Sequence, residues 1–183
     1  LVSQAVAAAI QYLPAHTSLR ILEIGGGTGG TTSYILPGLP TDLVSYTFTD
    51  ISPLFTSQAA QKFSAYGFIE YQTLDISRDP LPQGFTAGSF DLVIAANVLH
   101  ATPDLHETLQ NVKTLLAPHG ELILYEAVGK QRFSDLTVGL TEGWWSFKDH
   151  HLRPHYALLT HAQWQHLLAE VGFTESALIP GPE

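Results

Sequence analysis

The chain has 183 residues, of which 45% are hydrophobic and 14% charged, a balance typical of a globular domain. Its formal net charge is −9 with only eight lysines and arginines, which disfavours nucleic acid and anionic membrane surfaces as partners. The chain contains no cysteine, so disulfides, thiolate metal sites and cysteine nucleophiles are excluded, and we expect a cytoplasmic protein.

Short apolar runs alternate along the chain with segments of helical length. The first residues, "LVSQAVAAAIQYL", predict a helix rather than a signal peptide, because no basic region precedes the apolar run. Strands are predicted over 20–24, 45–50, 69–75, 90–97 and 121–128. Helices are predicted over 28–36, 53–66, 104–117 and 161–173.

The alternation of strands and helices predicts one α/β domain over residues 1–183. Continuous apolar character in "DLVIAA" and "LILY" indicates strands buried on both faces, as in a parallel sheet. We therefore expect a Rossmann-like, doubly wound, mostly parallel sheet. Residues 132–160 predict an irregular insert, and "TESALIP" (174–180) is the candidate for a last strand. The chain begins at Leu1 without a methionine, so we expect a piece of a larger protein.

Five glycines follow the first predicted strand in "LEIGGGTGG", and their spacing has two interpretations. Gly25-x-Gly27-x-x-Gly30 matches the dinucleotide-binding pattern, whereas Glu23-x-Gly25-x-Gly27-x-Gly29 places an acid before alternating glycines. A plain strand–helix turn is the third possibility. A phosphate-binding P-loop is excluded, because no Gly-Lys-Ser/Thr ending follows.

Acidic residues at the ends of the first three predicted strands favour a ligand without phosphates. Glu23 would repel a pyrophosphate, and no lysine or arginine lies between Arg20 and Lys62 to bind one. Asp50 follows Gly25 by 25 residues, near the spacing at which an acid accepts both hydroxyls of a ribose, with Ile51 beside it.

Asp75 and Ile76, at the end of the third predicted strand, are candidates for contacts with an adenine ring. The alternatives are a helix cap for Asp50 and a surface turn for Asp75. A ribose diol, an adenine and an ammonium group, without phosphates, describe S-adenosylmethionine.

These motifs resemble the class I S-adenosylmethionine-dependent methyltransferases in order and spacing. More narrowly, "YTFTDISPLF", "FDLVIAANVLHATPDL" and the later "GWW" resemble the C-methyltransferase domain of type I polyketide synthases. The resemblance covers about residues 18–175. It implies a parallel sheet with one late antiparallel strand and an N-terminal lid. Neither the late antiparallel strand nor the lid is evident in the sequence. We therefore expect a catalytic core without them, excised from a larger multidomain synthase.

Two residues at the ends of neighbouring predicted strands are candidates for catalysis. His100 ends "VIAANVLH" and Glu126 ends "LILYE", so the two side chains are expected to meet at one edge of the sheet. His100 would be the base and Glu126 would orient it, which is also the pair that the resemblance implies. The alternative is an interior histidine without a catalytic role. Asn97 is a candidate for the cofactor tail, or an ordinary turn amide.

Aromatic side chains in the late insert are candidates for the substrate site. Trp144, Trp145 and Phe147 would form the wall of an acyl tunnel, although aromatic residues also serve as plain core. Asp149 and Arg153 suggest a local ion pair. The histidines of "DHHLRPHY" do not predict a metal site, because Pro154 breaks the helical spacing and no further ligand is near.

The function that these observations favour is methyl transfer from S-adenosylmethionine to the α-carbon of a β-ketoacyl chain bound to an acyl carrier protein. Neighbouring synthase domains would be further partners. Three alternatives stay open at this point. They are a free-standing small-molecule O-methyltransferase using the same His–Glu pair, a dinucleotide-binding oxidoreductase, and a binding module without activity.

Overall fold

The computed structural model describes residues 1–11, 18–130 and 132–179, which include a five-stranded parallel sheet in the order β3-β2-β1-β4-β5. The strands are β1 (Leu19–Ile24), β2 (Val44–Asp50), β3 (Ile69–Thr73), β4 (Phe90–Ala96) and β5 (Leu116–Tyr125). The helices are α1 (Val2–Gln11), α2 (Gly30–Ile35), α3 (Pro53–Lys62), α4 (Leu105–Leu115), α5 (Arg132–Leu136) and α6 (His161–Val171). The predicted Rossmann-like doubly wound fold is confirmed.

The central strands are apolar throughout because both of their faces are covered. Ile21 of β1 packs with residues of α1, α2 and α3 on one face of the sheet. Leu22, the next residue, packs with residues of α4 and α6 on the other face. Successive side chains of a strand point to opposite faces, so a strand between two helical layers needs apolar residues at every position.

The predicted elements differ from the observed ones mainly at their ends. Helix α3 ends at Lys62 rather than at residue 66, and β3 ends at Thr73, two residues before Asp75. Strand β5 begins at Leu116, earlier than predicted, because Leu116 pairs with Phe90 ahead of a register shift. Both β3 and β5 therefore end before the acidic residues that we expected at their tips.

The prediction of a last strand over 174–180 is wrong for the described residues 174–179, which are irregular. Leu178 is 40% exposed and Ile179 is 62% exposed, so this stretch has no buried face for a strand to pack against. Pro180 lies outside the described residues, as do residues 12 and 13 of the predicted first helix.

Candidate active site

The backbone of the glycine turn after β1 agrees with the pattern Glu23-x-Gly25-x-Gly27-x-Gly29. Gly25, Gly27 and Gly29 have φ values of +63°, +54° and +71°, in the left-handed region that glycine adopts most readily. Gly30, in contrast, is the first residue of α2. A Cβ on Gly27 would meet nothing closer than an oxygen 4.0 Å away, so the space beside Gly27 is open.

Asp50 supports this turn from the end of β2. Its Oδ2 accepts a hydrogen bond from the Gly27 N–H at 3.0 Å, and its Oδ1 accepts one from the Ser52 N–H at 2.9 Å. The side chain of the next residue, Ile51, is 67% exposed. A carboxylate oxygen accepts more than one hydrogen bond, so both oxygens of Asp50 keep capacity for the hydroxyls of a ribose.

Asp75 and Ile76 are placed differently from one another. Asp75 accepts hydrogen bonds at Oδ1 from the N–H and the hydroxyl of Ser77, in the manner of an Asx turn. The side chain of Ile76 is only 4% exposed and belongs to the core beneath the sheet, and its carbonyl accepts from Asn111 at 3.0 Å. The Ile76 side chain therefore offers little exposed apolar surface, and its contact with an adenine stays a prediction.

Glu23 is enclosed at the end of β1, with 1% of the residue exposed. Its Oε2 accepts hydrogen bonds from the hydroxyls of Thr32 at 2.6 Å and Tyr46 at 2.8 Å. Burial raises the pKa of Glu23 above its ordinary value, and the two hydrogen bonds oppose that rise. Burial and the neighbouring Glu23 also raise the pKa of Tyr46 well above its ordinary value.

Lys62 contributes a cation to the glycine turn that the linear sequence did not reveal. Its Nζ donates to the carbonyl of Thr28 at 2.9 Å and to that of Gly29 at 3.2 Å. The ammonium group therefore lies on backbone oxygens of the turn. The sequence signal for this contact is weak, because Lys62 is 33 residues from Gly29 and lies at the end of α3.

These residues fit the adenosyl part of S-adenosylmethionine. The turn leaves open space beside Gly27, Asp50 offers two acceptor oxygens, and the exposed Ile51 offers an apolar surface. Hydroxyl groups and an apolar ring match these features better than a phosphate would, because both nearby carboxyls, Asp50 and Glu23, would repel one.

His100 and Glu126 meet at the carboxyl ends of β4 and β5. The His100 Nδ1 lies 2.5 Å from the Glu126 Oε2, and their side chains are 14% and 2% exposed. The Glu126 Oε1 accepts from the backbone N–H groups of Val98 at 3.0 Å and Leu99 at 2.7 Å. Because the carboxylate accepts at all of these contacts, Nδ1 carries the proton and the lone pair of the neutral imidazole lies on Nε2.

Asn97 directly follows β4, three residues before His100. Its φ is +53°, an uncommon conformation for a residue other than glycine. Its N–H donates to the Tyr125 carbonyl at 2.7 Å, and its Oδ1 accepts from the Ala127 N–H at 2.9 Å. Asn97 thus ties the end of β4 to the end of β5, and it lines a cavity beside His100.

A cavity of about 530 Å³ opens beside the imidazole of His100. Its wall includes Trp144, whose ring lies edge to face with His100 at 5.5 Å between centroids. The insert also supplies Phe133 and Val138, two apolar residues that the sequence did not single out. Such residues carry no pattern that separates them from ordinary surface positions, so the signal is in the fold alone.

The three aromatic residues predicted to form an acyl tunnel are in three different environments. Trp144 lines the cavity and its Nε1 is buried without a hydrogen-bond partner among the described residues. Trp145 is 48% exposed, and its Nε1 donates to the Gly139 carbonyl. Phe147 is buried beneath the insert against Arg153 rather than along the cavity. Of the three, the cavity wall includes Trp144.

The expected ion pair between Asp149 and Arg153 is present and fully buried. The Arg153 Nε donates to the Asp149 Oδ1 at 2.7 Å, and neither side chain is exposed to solvent.

Within residues 1–11, 18–130 and 132–179, no group of three or more histidine, aspartate or glutamate side chains is arranged to hold a metal ion. No helix within those ranges is long and apolar enough to cross a membrane.

A family model described as "Methyltransferase domain" matches residues 22–122, more than half of the chain. The chain belongs to the methyltransferase domain family. Its predicted class as an S-adenosylmethionine-dependent methyltransferase is confirmed, and the cofactor is supported by a similar structure, a trans-methyltransferase CalH in complex with SAH. The alternative of a dinucleotide-binding oxidoreductase is not favoured.

Individual relatives of this methyltransferase domain are carbon methyltransferases and polyketide synthases. The crystal structure of the CurJ carbon methyltransferase superposes with a TM-score of 0.94 at 53% identity, over 100% of this chain and 48% of that one. The methyltransferase calH of Penicillium decumbens is 49% identical over 86% of this chain and 44% of its own length. A highly reducing polyketide synthase of Fusarium sp is 47% identical over 85% of this chain and 6% of the synthase.

The chain thus spans about half the length of the CurJ and calH relatives and a small part of the synthase. The predicted resemblance to polyketide synthase C-methyltransferases is confirmed.

Proposed function

We propose that this domain methylates the α-carbon of a β-ketoacyl chain carried on an acyl carrier protein, within a larger multidomain synthase. The observation that carries the proposal is the His100–Glu126 pair at the mouth of the apolar cavity. The similarity to carbon methyltransferases at 53% identity supports carbon rather than oxygen as the acceptor.

The roles of His100 and Glu126 follow from their hydrogen bonds. Glu126 holds Nδ1–H, so the Nε2 lone pair is available to take a proton from a substrate in the cavity. As the imidazole becomes positively charged, the adjacent carboxylate stabilises it. The α-carbon between two carbonyl groups is acidic enough for such a base, which makes a β-ketoacyl thioester a suitable substrate.

The cofactor half of the reaction would be served by the glycine turn and its acids. S-adenosylmethionine, when bound, supplies a sulfonium methyl group that a carbon nucleophile accepts. Gly25, Gly27 and Gly29 would leave room for it, Asp50 would accept from its ribose, and Glu23, Ile51 and Asn97 would complete its surroundings. Asp75 would contribute polar contacts at the adenine end, with the Ile76 backbone beside it.

The cavity wall suits an acyl chain. Trp144, Val138 and Phe133 provide apolar surface on the wall of the cavity that His100 also lines. Trp145, which is half exposed beside Trp144, would add apolar surface for the chain. Phe147 would support the wall through the buried cluster that it forms with Trp144.

Mass spectrometry of a carrier-protein-bound β-ketoacyl substrate, incubated with methyl-labelled cofactor, tests this proposal. We expect one labelled methyl on the α-carbon, located by fragmentation of the released acyl chain. A parallel incubation with phenols tests oxygen as the acceptor. Labelled methyl on oxygen, together with none on carbon, would contradict the proposal and favour an O-methyltransferase.

A further inference from the structure

We propose that Arg153 is a positioning residue that holds the backbone of His100 in the place from which its imidazole removes a proton. The inference rests on the proposed role of His100 as the base. Arg153 does not line the cavity and has no part in the cofactor site, so its effect would pass through the peptide chain that carries the imidazole.

The guanidinium donates directly to the catalytic turn. Its Nη1 donates to the carbonyl of His100 itself at 2.7 Å. Its Nη2 donates to the carbonyl of Thr102 at 2.8 Å and to that of Pro103 at 3.2 Å. Residues 99–101 form a single 3-10 turn, so these contacts lie at its carboxyl end, where carbonyl groups have no partner within the turn.

Glu126 fixes the opposite end of the same turn. It accepts from the N–H groups of Val98 and Leu99, while Arg153 donates to carbonyls that follow. An anion at the amino end and a cation at the carboxyl end match the direction of the peptide dipoles in a helical turn. The two charged residues therefore hold the turn from both ends, and His100 lies between them.

Asp149 holds the guanidinium group of Arg153 in place. It accepts from the Arg153 Nε through Oδ1 and from the Leu105 N–H, at the start of α4, through Oδ2 at 3.0 Å. The ring of Phe147 lies 5.1 Å from the guanidinium carbon. Arg153 is 1% exposed, so water does not replace these contacts when they are lost.

Arginine is required at this position by geometry and not by charge alone. Its planar group places Nε on Asp149 while Nη1 and Nη2 reach carbonyls of His100 and Thr102. A lysine ammonium is a compact charge that cannot span these acceptors in the same way. The Arg153→Lys variant therefore keeps the charge and loses some of the hydrogen bonds to the turn.

The test measures proton removal separately from methyl transfer, in the full-length protein. A β-ketoacyl thioester is incubated in heavy water with S-adenosylhomocysteine, and enzyme-dependent exchange of its α-proton is followed by mass spectrometry. We expect Arg153→Lys to slow exchange and lower kcat by about 10- to 100-fold, with KM and cofactor affinity unchanged.

Arg20→Lys is the matched control. Arg20 also forms an arginine–carboxylate pair, donating to both oxygens of Asp91, but at the end of β1 that is remote from His100. We expect this variant to exchange the α-proton at the wild-type rate. Exchange and kcat at the wild-type level in Arg153→Lys would overturn the proposal. A loss of exchange and kcat no larger than the loss of folded protein would overturn it as well.

A double variant, Asp149→Leu with Arg153→Met, removes both buried charges together. Replacing a buried ion pair by apolar residues is often neutral for stability, whereas removing one partner leaves an uncompensated charge. The Leu105 N–H and the His100 and Thr102 carbonyls lose their partners in this variant, so we expect some loss of stability. We expect the folded protein to bind cofactor and to have lost α-proton exchange. Wild-type exchange in this variant, or loss of folding in both Arg153 variants, would overturn the positioning role. Absence of α-methylation and exchange in the wild type would instead contradict the proposed function.

Discussion

The two halves of the candidate site are built in different ways. The glycine-turn half, residues 23–75, is stabilised mostly by contacts between the ends of adjacent strands, as where Asp50 accepts from Gly27. In the histidine half, residues 97–157, the contact of His100 with Glu126 is of the same kind and spans 26 positions. This half also depends on the late insert, from which Arg153 reaches the His100 carbonyl across 53 positions.

The halves also differ in how well their surfaces are covered. In the glycine-turn half, Glu23 and Asp50 are buried and hydrogen-bonded within the domain. In the histidine half, Phe133 on the cavity wall is 78% exposed, and Leu136 and Leu140, also in the insert, are 74% and 80% exposed. A buried polar framework is suited to one constant cofactor, whereas an open apolar wall is suited to variable acyl chains.

The halves come into contact at Gly25, which limits their independence. A Cβ placed on Gly25 would lie 2.3 Å from the side chain of Val98, the residue before the turn that carries His100. Gly25 therefore allows the glycine turn and this turn to approach one another closely. Variants of the two halves should separate their contributions.

Replacing the base should disable the histidine half alone. We expect His100→Ala to lower methyl transfer by about 1,000-fold, because a positioned general base contributes roughly 100- to 10,000-fold. Affinity for S-adenosylhomocysteine, measured by calorimetry, should be unchanged. His166→Ala, on the exposed face of α6, is the control with normal turnover. Loss of cofactor affinity in His100→Ala would show that the halves are not separable.

Glu126→Gln should have a somewhat smaller effect on the same half. The amide can donate to Nδ1, which would favour the tautomer with its proton on Nε2 and leave the base without its lone pair. We expect methyl transfer to fall about 100-fold, with cofactor affinity unchanged. Methyl transfer rates under saturating substrate measure the effect. Activity equal to that of the wild type would exclude Glu126 from orienting His100.

Gly27→Ala should disable the opposite half. The positive φ of Gly27 makes an alanine cost about 1–2 kcal/mol of folding stability, and its Cβ would occupy the open space of the turn. We expect cofactor affinity to fall about tenfold or more. Gly84→Ala carries the same backbone cost at φ +96° in an open position on a remote turn. Equal cofactor affinities for both variants would place the cofactor elsewhere.

The glycine-turn half was the more predictable from sequence because its signals are local. The strand, the glycines and the acid at the end of the next strand lie in short continuous motifs, and the fold brings Glu23, Gly27 and Asp50 together. The burial of the Ile76 side chain was not predictable in the same way, because helix α4, which is distant in sequence, packs over that region.

The histidine half was predictable only where strand order was enough. The ends of adjacent parallel strands must meet, so His100 and Glu126 were expected to be neighbours and are. The insert follows no such rule, because residues 132–160 have no strand period and only short helical turns. Hence the sequence pattern could not distinguish Trp144 on the cavity wall from Phe147 beneath it, nor single out Phe133.

The smallest expected effect concerns the buried acid of the glycine-turn half. Because burial raises the pKa of Glu23, the folded protein keeps a proton that the unfolded chain releases above a pH of about 4.3. Wild-type stability should therefore decline as the pH rises from that value to the raised pKa, and then level off. In Glu23→Gln, whose amide oxygen still accepts from Thr32 and Tyr46, this decline should be absent. Urea unfolding from pH 4 to pH 8 measures it, with the exposed Glu70→Gln as control. Parallel curves for Glu23→Gln and the wild type would mean that the carboxylate is hydrated, and that this half is as open as the other.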